Sequence, residues 1–399
     1  VIRRLGPGAA AFPGRALATS ADLDELYLSY YQQRTGLAGE RLLPHQGRAN
    51  VAVHMEFPRL AINFPGFTCL TEAAPAAHSL RASRSFTAPT VQLMTVKGET
   101  AVSLNYDIPM VAQLIDGQFG VLDEVSSPYY PTLNIRGGSK IFESNQIQLE
   151  SIYYFNDHFG ANNFAHWLLD WTPRLKFLVE SPDLQRSSII FGMPMSRIQR
   201  DTLRILKIDS NRIIQVRKNS LHHPVNFLTN HLIAPGICGK NLRRPAQICS
   251  PWALDFIRST FLGSSSGSSR RRILINRAGT RKLLLSSAMR DKLTSQGFEE
   301  FFLEHLPIED QARLFNEAEI IISAHGAALS NLVFCEEKTR ILEIFPESYS
   351  TANFFSLSSA IKLDYVCAVG KSRKSPLGNH LRDYDIEVDD FIISQFLSM

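Results

Sequence analysis

Three clusters in this chain carry side chains whose types and spacing could do chemistry. The first runs from Asn162 to Arg174, NNFAHWLLDWTPR. If it is helical, His166 and Asp170 stand at i and i+4 and share a face. A carboxylate beside an imidazole orients the ring, favours its charged form and makes it a better base. A capped helix that packs Trp167 and Trp171, with His and Asp merely paired, fits the same residues. Pro173 should kink or end such a helix. The second cluster is RAGTRK, directly after the apolar run ILIN. Arg277, Arg281 and Lys282 around a turn at Gly279 could clamp a diphosphate, the arginines giving bidentate contacts. A solvated basic turn is the alternative. The third is AEIIISAHGAALSNLVF, residues 318–334. A β-branched run ends in His325 and Gly326, followed by Ala327 and Ala328. Small residues at a helix start let an anion approach the backbone amides, and they also let a helix pack closely on a sheet. Glu343, inside the apolar RILEIFP, needs partners if buried. Sugar or ribose hydroxyls would serve, and so would a structural arginine.

The elements that must position these clusters follow from the rhythm of the chain. With 399 residues, 44% hydrophobic and 20% charged, it is an ordinary globular sequence long enough for two domains or more. One helix is expected at 21–34, and 90–150 reads as short, turn-separated strands. From about 147, strands alternate with helices of ten or more residues, which predicts βαβ units and parallel sheets. The expected fold class is α/β, with two Rossmann-like domains facing a cleft and a β-rich N-terminal segment. Residues 1–235 would form an N-terminal acceptor-side domain, made of the β-rich segment 90–150 and an α/β unit at 147–235. Residues 236–375 would form the C-terminal nucleotide-sugar-binding domain, with 235–269 as the connection. Residues 376–399 are long enough for a helix crossing back to the first domain. His325 and Arg277 would then lie at carboxyl ends of strands in one sheet, where ligands of open α/β sheets bind.

Other features narrow the classes. Gly263–Gly267 matches the GxSxG pattern but follows a helix and precedes a basic strand, the wrong context for a nucleophile elbow. Asp22-Leu23-Asp24 and Asp383-Tyr384-Asp385 match DxD, yet neither follows an apolar strand, so no metal ligands are expected. A P-loop and a GxGxxG fingerprint are both missing from the sequence. A net charge of +4 with dispersed basic residues suits a small anionic ligand and argues against a nucleic-acid partner. Five cysteines without CxxC spacing point to reduced thiols. The start at Val1 suggests a trimmed product.

Together the three clusters resemble glycosyltransferase family 61. The resemblance rests on His166-Trp167-Leu168-Leu169-Asp170 with Pro173-Arg174-Leu175, on Arg277 through Lys282, and on Pro307 through Phe315 running into Ala324 through Phe334. Leu342-Glu343-Ile344 completes it, and it covers about residues 150–346. It implies a GT-B-like architecture and an inverting, metal-independent transfer from a nucleotide sugar. Asp170 stands where many relatives carry glutamate, and Thr172 replaces a leucine. Leu284-Leu285-Ser286-Ser287 replaces an Asn and an acidic residue.

On this reading a nucleotide-sugar donor, UDP-linked, is co-substrate and no other cofactor is needed. Arg277, Gly279, Arg281, Lys282, His325, Gly326, Ala327, Asn331 and Glu343 would bind the donor. His166 or Asp170 would be the catalytic base, with Asn163 and Arg174 on the acceptor side. The acceptor would be a glycan or lipid-linked glycan, in polysaccharide biosynthesis. A nucleotide-sugar epimerase or hydrolase is the alternative, as is a glycan- or nucleotide-binding protein without catalysis. The expected location is cytoplasmic and peripheral to a membrane, or alternatively a secretory lumen with the anchor removed.

Overall fold

The computed structural model describes residues 51–57, 60–63, 68–71, 85–88, 91–104, 109–115, 118–121, 146–154, 163–191, 195–215, 225–235, 250–263, 270–347, 349–377 and 383–399. The fold is α/β, two halves that meet across a cleft. The helix expected at 21–34, the first DxD and residues 264–269 lie outside the described residues.

In the N-terminal half most of the described strands form one mixed sheet, with Leu60–Asn63 and Ser85–Ala88 pairing apart from it. Its order is Ile213–Gln215, Ser188–Phe191, Ile152–Tyr153, Val225–Pro235, Val91–Leu104, Pro109–Ile115 and Gln118–Val121. The first four run parallel and the last three are antiparallel neighbours. The β-rich segment therefore extends the sheet of the α/β unit. Its centre is a strand that the sequence pattern hides. Val225–Pro235 has a register shift between Thr229 and His231, and this bulge breaks the alternation on which strand recognition depends.

The C-terminal half is doubly wound. Its parallel core has the order Phe298–Phe302, Arg271–Asn276, Ala318–Ala324, Arg340–Pro346, Asp364–Arg373. In chain order this is 2-1-3-4-5, so the direction of winding reverses between the 271–276 and 318–324 strands. Ligands of such sheets bind beyond the carboxyl ends at that switch point. The 318–324 and 340–346 strands are buried almost throughout, as expected for strands covered on both faces. Helices 251–262, 308–316 and 353–361 cover one face. Helix 287–295 and the terminal helix Asp390–Ser398 cover the other.

Contrary to expectation, the C-terminal helix does not cross back. Ile393 and Phe396 are buried on the second sheet, and the Phe396 carbonyl accepts from Arg340 Nη2 at 2.6 Å. An apolar stripe of this kind is satisfied by the nearest uncovered sheet face. The crossing runs in the other direction: Thr68–Cys69 leaves the N-terminal region and pairs in parallel with Val366 and Cys367.

Candidate active site at the switch point

The basic turn is built by Asn276, the last residue of its strand. Asn276 Oδ1 accepts from the amides of Arg277 and Leu283, both at 2.9 Å. Its Nδ2 donates to Leu283 O at 3.3 Å and to Glu300 at 2.6 Å. One buried amide thus closes the 277–283 loop. Asp385 anchors the far side by accepting from the Lys282 amide at 2.9 Å, which makes the second DxD a structural brace. Between these anchors Arg281 is held with φ at +60°. For a non-glycine residue this conformation costs on the order of 1–2 kcal/mol.

That geometry brings the basic turn onto the His-Gly segment. A Cβ placed on Gly326 would fall 2.5 Å from Arg277 Nη1 and 3.9 Å from Arg281 Nη1. The glycine is therefore the seat of the Arg277 guanidinium; its backbone is extended, and the requirement is for space. Arg277 Nη1 is buried without a hydrogen-bond partner among the described residues. Burial lowers the pKa of Arg277 from its usual value, opposed by the nearby carboxylates Glu304 and Asp383. A desolvated cation with an open donor is suited to a phosphate oxygen.

The helix expected after Gly326 is a 3-10 helix, Ala327–Phe334. Its ladder begins with Leu329 N donating to Gly326 O at 3.0 Å, and Ala327 and Ala328 ahead of it line the cleft. Asn331 does not face a ligand. It is fully buried, and its Nδ2 donates to Gln311 Oε1 at 2.9 Å and Ala328 O at 3.0 Å. Gln311 in turn donates to the carbonyls of Leu303 and Leu306, both at 3.0 Å. Asn331 and Gln311 therefore buckle three segments together behind the site.

Glu343 is also corrected. It is fully buried and its two oxygens are taken: Oε1 meets His325 Nδ1 at 2.5 Å and Oε2 accepts from Tyr365 OH at 2.5 Å. No sugar hydroxyl is needed to satisfy it. Burial, reinforced by Glu343, pushes the Tyr365 phenol well above its ordinary pKa, so it remains a donor. The His325 ring stacks on Phe345 at 4.8 Å, with Tyr349 and Phe354 at 5.4 and 5.5 Å. His325 is thus clamped just ahead of Gly326.

His166 and Asp170 sit on an irregular helix. Asn163 Oδ1 caps it, accepting from Ala165 N at 2.9 Å and His166 N at 3.3 Å, so Asn163 positions His166. The turn then widens into a π-helix, Trp167–Trp171, in which the Thr172 amide bonds to Trp167 O. Pro173 lies in a 3-10 turn, Thr172–Arg174, and the helix resumes at Leu175–Glu180, so the proline does not end it. π-turns occur often at functional sites. His166 Nδ1 lies 2.7 Å from Asp170 Oδ2. The helix is shared between halves. Trp167 and Trp171 enter the N-terminal core, while Leu168 and Leu169 enter the C-terminal one. Each buried leucine stabilises that junction by roughly 1.5–3 kcal/mol. Arg174 is not on an acceptor surface. It is buried, donating to Pro235 O at 2.5 Å and lying over the Trp171 ring at 4.2 Å.

A cleft of about 320 Å³ lies between the halves. Phe164, Ile198 and Asp201 face it from one side, and Arg277, Glu304, Ile308 and Ala327 from the other. An ion pair from Arg204 to Glu309 at 2.5 Å bridges the halves. Of the residues expected to act, Arg277, Arg281 and Gly326 converge, with Ala327 beside them. His325 stands behind them; Gly279 and Lys282 belong to the same turn. Asn276, Gln311 and Tyr365 were not foreseen. Only Asn276, ending its strand before the basic turn, carried a local signal.

Residues 164–342 match the family model for Glycosyltransferase 61. That region, rather less than half of the chain, is similar to glycosyltransferase family 61. A beta-1,2-xylosyltransferase of Oryza sativa subsp. japonica, XAX1, is 30% identical over 138 residues, 33% of this chain and 24% of that protein. A second rice beta-1,2-xylosyltransferase, RCN11, is 36% identical over 61 residues, 15% of this chain and 11% of its own. The chain thus spans a quarter or less of the curated relatives it matches. A solved iron-containing dodecameric glycosyltransferase, TibC from enterotoxigenic E. coli H10407, aligns at 12% identity and a TM-score of 0.26, covering 73% of this chain and 84% of its own.

Proposed function

We propose that the chain transfers a sugar from a nucleotide donor, UDP-linked, to a hydroxyl of a glycan acceptor, with inversion and without a metal. The observation that carries this reading is the buried Arg277 guanidinium, seated on Gly326 at the switch point with an open donor. Arg277 and Arg281 would hold the diphosphate and neutralise charge as it develops on the leaving group. Preorganised electrostatic stabilisation of this kind usually contributes more to catalysis than any other single effect. These cations supply what a divalent ion would otherwise provide.

The Asp170 carboxylate accepts only, so it would hold the His166 ring in the tautomer with Nδ1 as donor and Nε2 as base. Nε2 would take the acceptor hydroxyl proton as the oxygen attacks the anomeric carbon. The bond from that carbon to the diphosphate oxygen breaks, its electron pair leaving with the nucleotide. One displacement inverts the anomeric centre. The rice relatives are named for β-linked xylosyl transfer, so UDP-xylose is the first donor to try. A polysaccharide acceptor, in the cytoplasm at a membrane surface or in a secretory lumen, fits such a transferase. Among the described residues no helix is long and apolar enough to cross a membrane.

The test is transfer from radiolabelled nucleotide sugars to a glycan panel, with EDTA present and the product anomer read by NMR. A β-linked product from an α-linked donor supports the proposal. Turnover of donor without acceptor would instead mean an epimerase or hydrolase, and binding without turnover a non-catalytic protein.

A further inference from the structure

The cleft carries one carboxylate that the fold does not use. Glu304 follows the Phe298–Phe302 strand, the second strand of the doubly wound core, which lies beside the strand that ends at Arg277. The other carboxylates of this stretch are engaged: Glu299 bonds Arg271, and Glu300 bonds Arg290 and Asn276. Glu304 is exposed and makes no hydrogen bond among the described residues, although it lines the cleft beside Arg277. The walls around it are apolar, from Phe164, Ile198, Leu303, Leu306 and Ile308. A volume near 320 Å³ is at the small end of ligand pockets.

Where a phosphate binds at the turn after the first strand of a doubly wound sheet, the adjoining sugar reaches the end of the second strand. An acidic side chain there accepts from ribose hydroxyls. A carboxylate next to a phosphate-binding arginine would repel the phosphates unless it had hydroxyl donors of its own to engage. We infer that the cleft is the nucleoside slot of the donor site, in which Glu304 accepts from the ribose 2′- and 3′-hydroxyls and the apolar walls hold the base. The inference rests on the donor site proposed above and assigns to Glu304 the hydroxyl-reading role first expected of Glu343. It makes the site selective for ribonucleotides over deoxyribonucleotides.

Calorimetric titration with UDP and 2′-deoxy-UDP, on wild type and Glu304→Ala, tests it. Wild type should prefer UDP by about tenfold or more, the effect of one hydrogen bond to a charged acceptor. Glu304→Ala should lose that preference, weakening UDP more than 2′-deoxy-UDP, which offers Glu304 only its 3′-hydroxyl. Because Glu304 is exposed, the variant should unfold at the wild-type temperature. If wild type binds both nucleotides equally, or if the variant weakens both alike, Glu304 is only a counter-ion to Arg277 and the inference fails while the donor site stands. If wild type binds neither, the donor site itself fails.

Discussion

Among the described residues two histidine–carboxylate pairs are found, and they are built differently. His325 and Glu343 meet at 2.5 Å with side chains 5% and 0% exposed, and Tyr365 takes the second carboxylate oxygen. The ring is boxed by aromatic neighbours. His166 and Asp170 meet at 2.7 Å, but the histidine is 16% exposed and stands just before a π-turn at the junction of the halves. The buried pair has every polar atom of its carboxylate committed, with Glu343 inside a strand and His325 just past the end of the next one, which suits holding a backbone segment in place. The second pair leaves its histidine partly exposed, which suits proton exchange with an acceptor. A His–acid pair alone therefore does not identify a base; access does.

The contrast can be broken at either end. The largest expected effect is on His166→Ala, which should lower kcat by about 10²–10⁴ while leaving UDP affinity unchanged by calorimetry. If nucleotide binding falls instead, the pair belongs to the donor site. Glu343→Ala should act oppositely. It strands His325 Nδ1 and the Tyr365 hydroxyl, so urea unfolding should show a loss of about 3–5 kcal/mol. Gly326→Ala pushes on the flexible tip of Arg277, so stability should change by about 1 kcal/mol or less. UDP binding should nonetheless weaken about tenfold or more as the guanidinium is displaced. Tyr365→Phe removes one donor to Glu343 and should cost about 1.5–3 kcal/mol in the same urea experiment, with kcat preserved.

Much of this is legible in the sequence because its signals are local. The apolar runs 318–324 and 340–346 announce buried parallel strands, and the spacing of His166 and Asp170 survives the change from α to π winding. The convergence of Arg277 on Gly326 is not legible, because it depends on the strand order that sets residues 276 and 324 side by side. The same holds for Glu343. Its strand is evident, but its partners His325 and Tyr365 come from the two neighbouring strands. Arg174 misleads because a cation after a helix looks exposed, whereas here it is enclosed by Pro235 O and Trp171. Val225–Pro235 escapes notice because a bulge interrupts its pattern.

The most direct test of the central claim is thermal unfolding with UDP in the presence of EDTA, on wild type and Arg277→Ala. At a free UDP concentration of about a hundred times Kd, binding should add about 2.7 kcal/mol of stability. The donor site predicts this shift in wild type with EDTA present, and its loss in Arg277→Ala. A shift that EDTA abolishes, or one that persists in the variant, would contradict it.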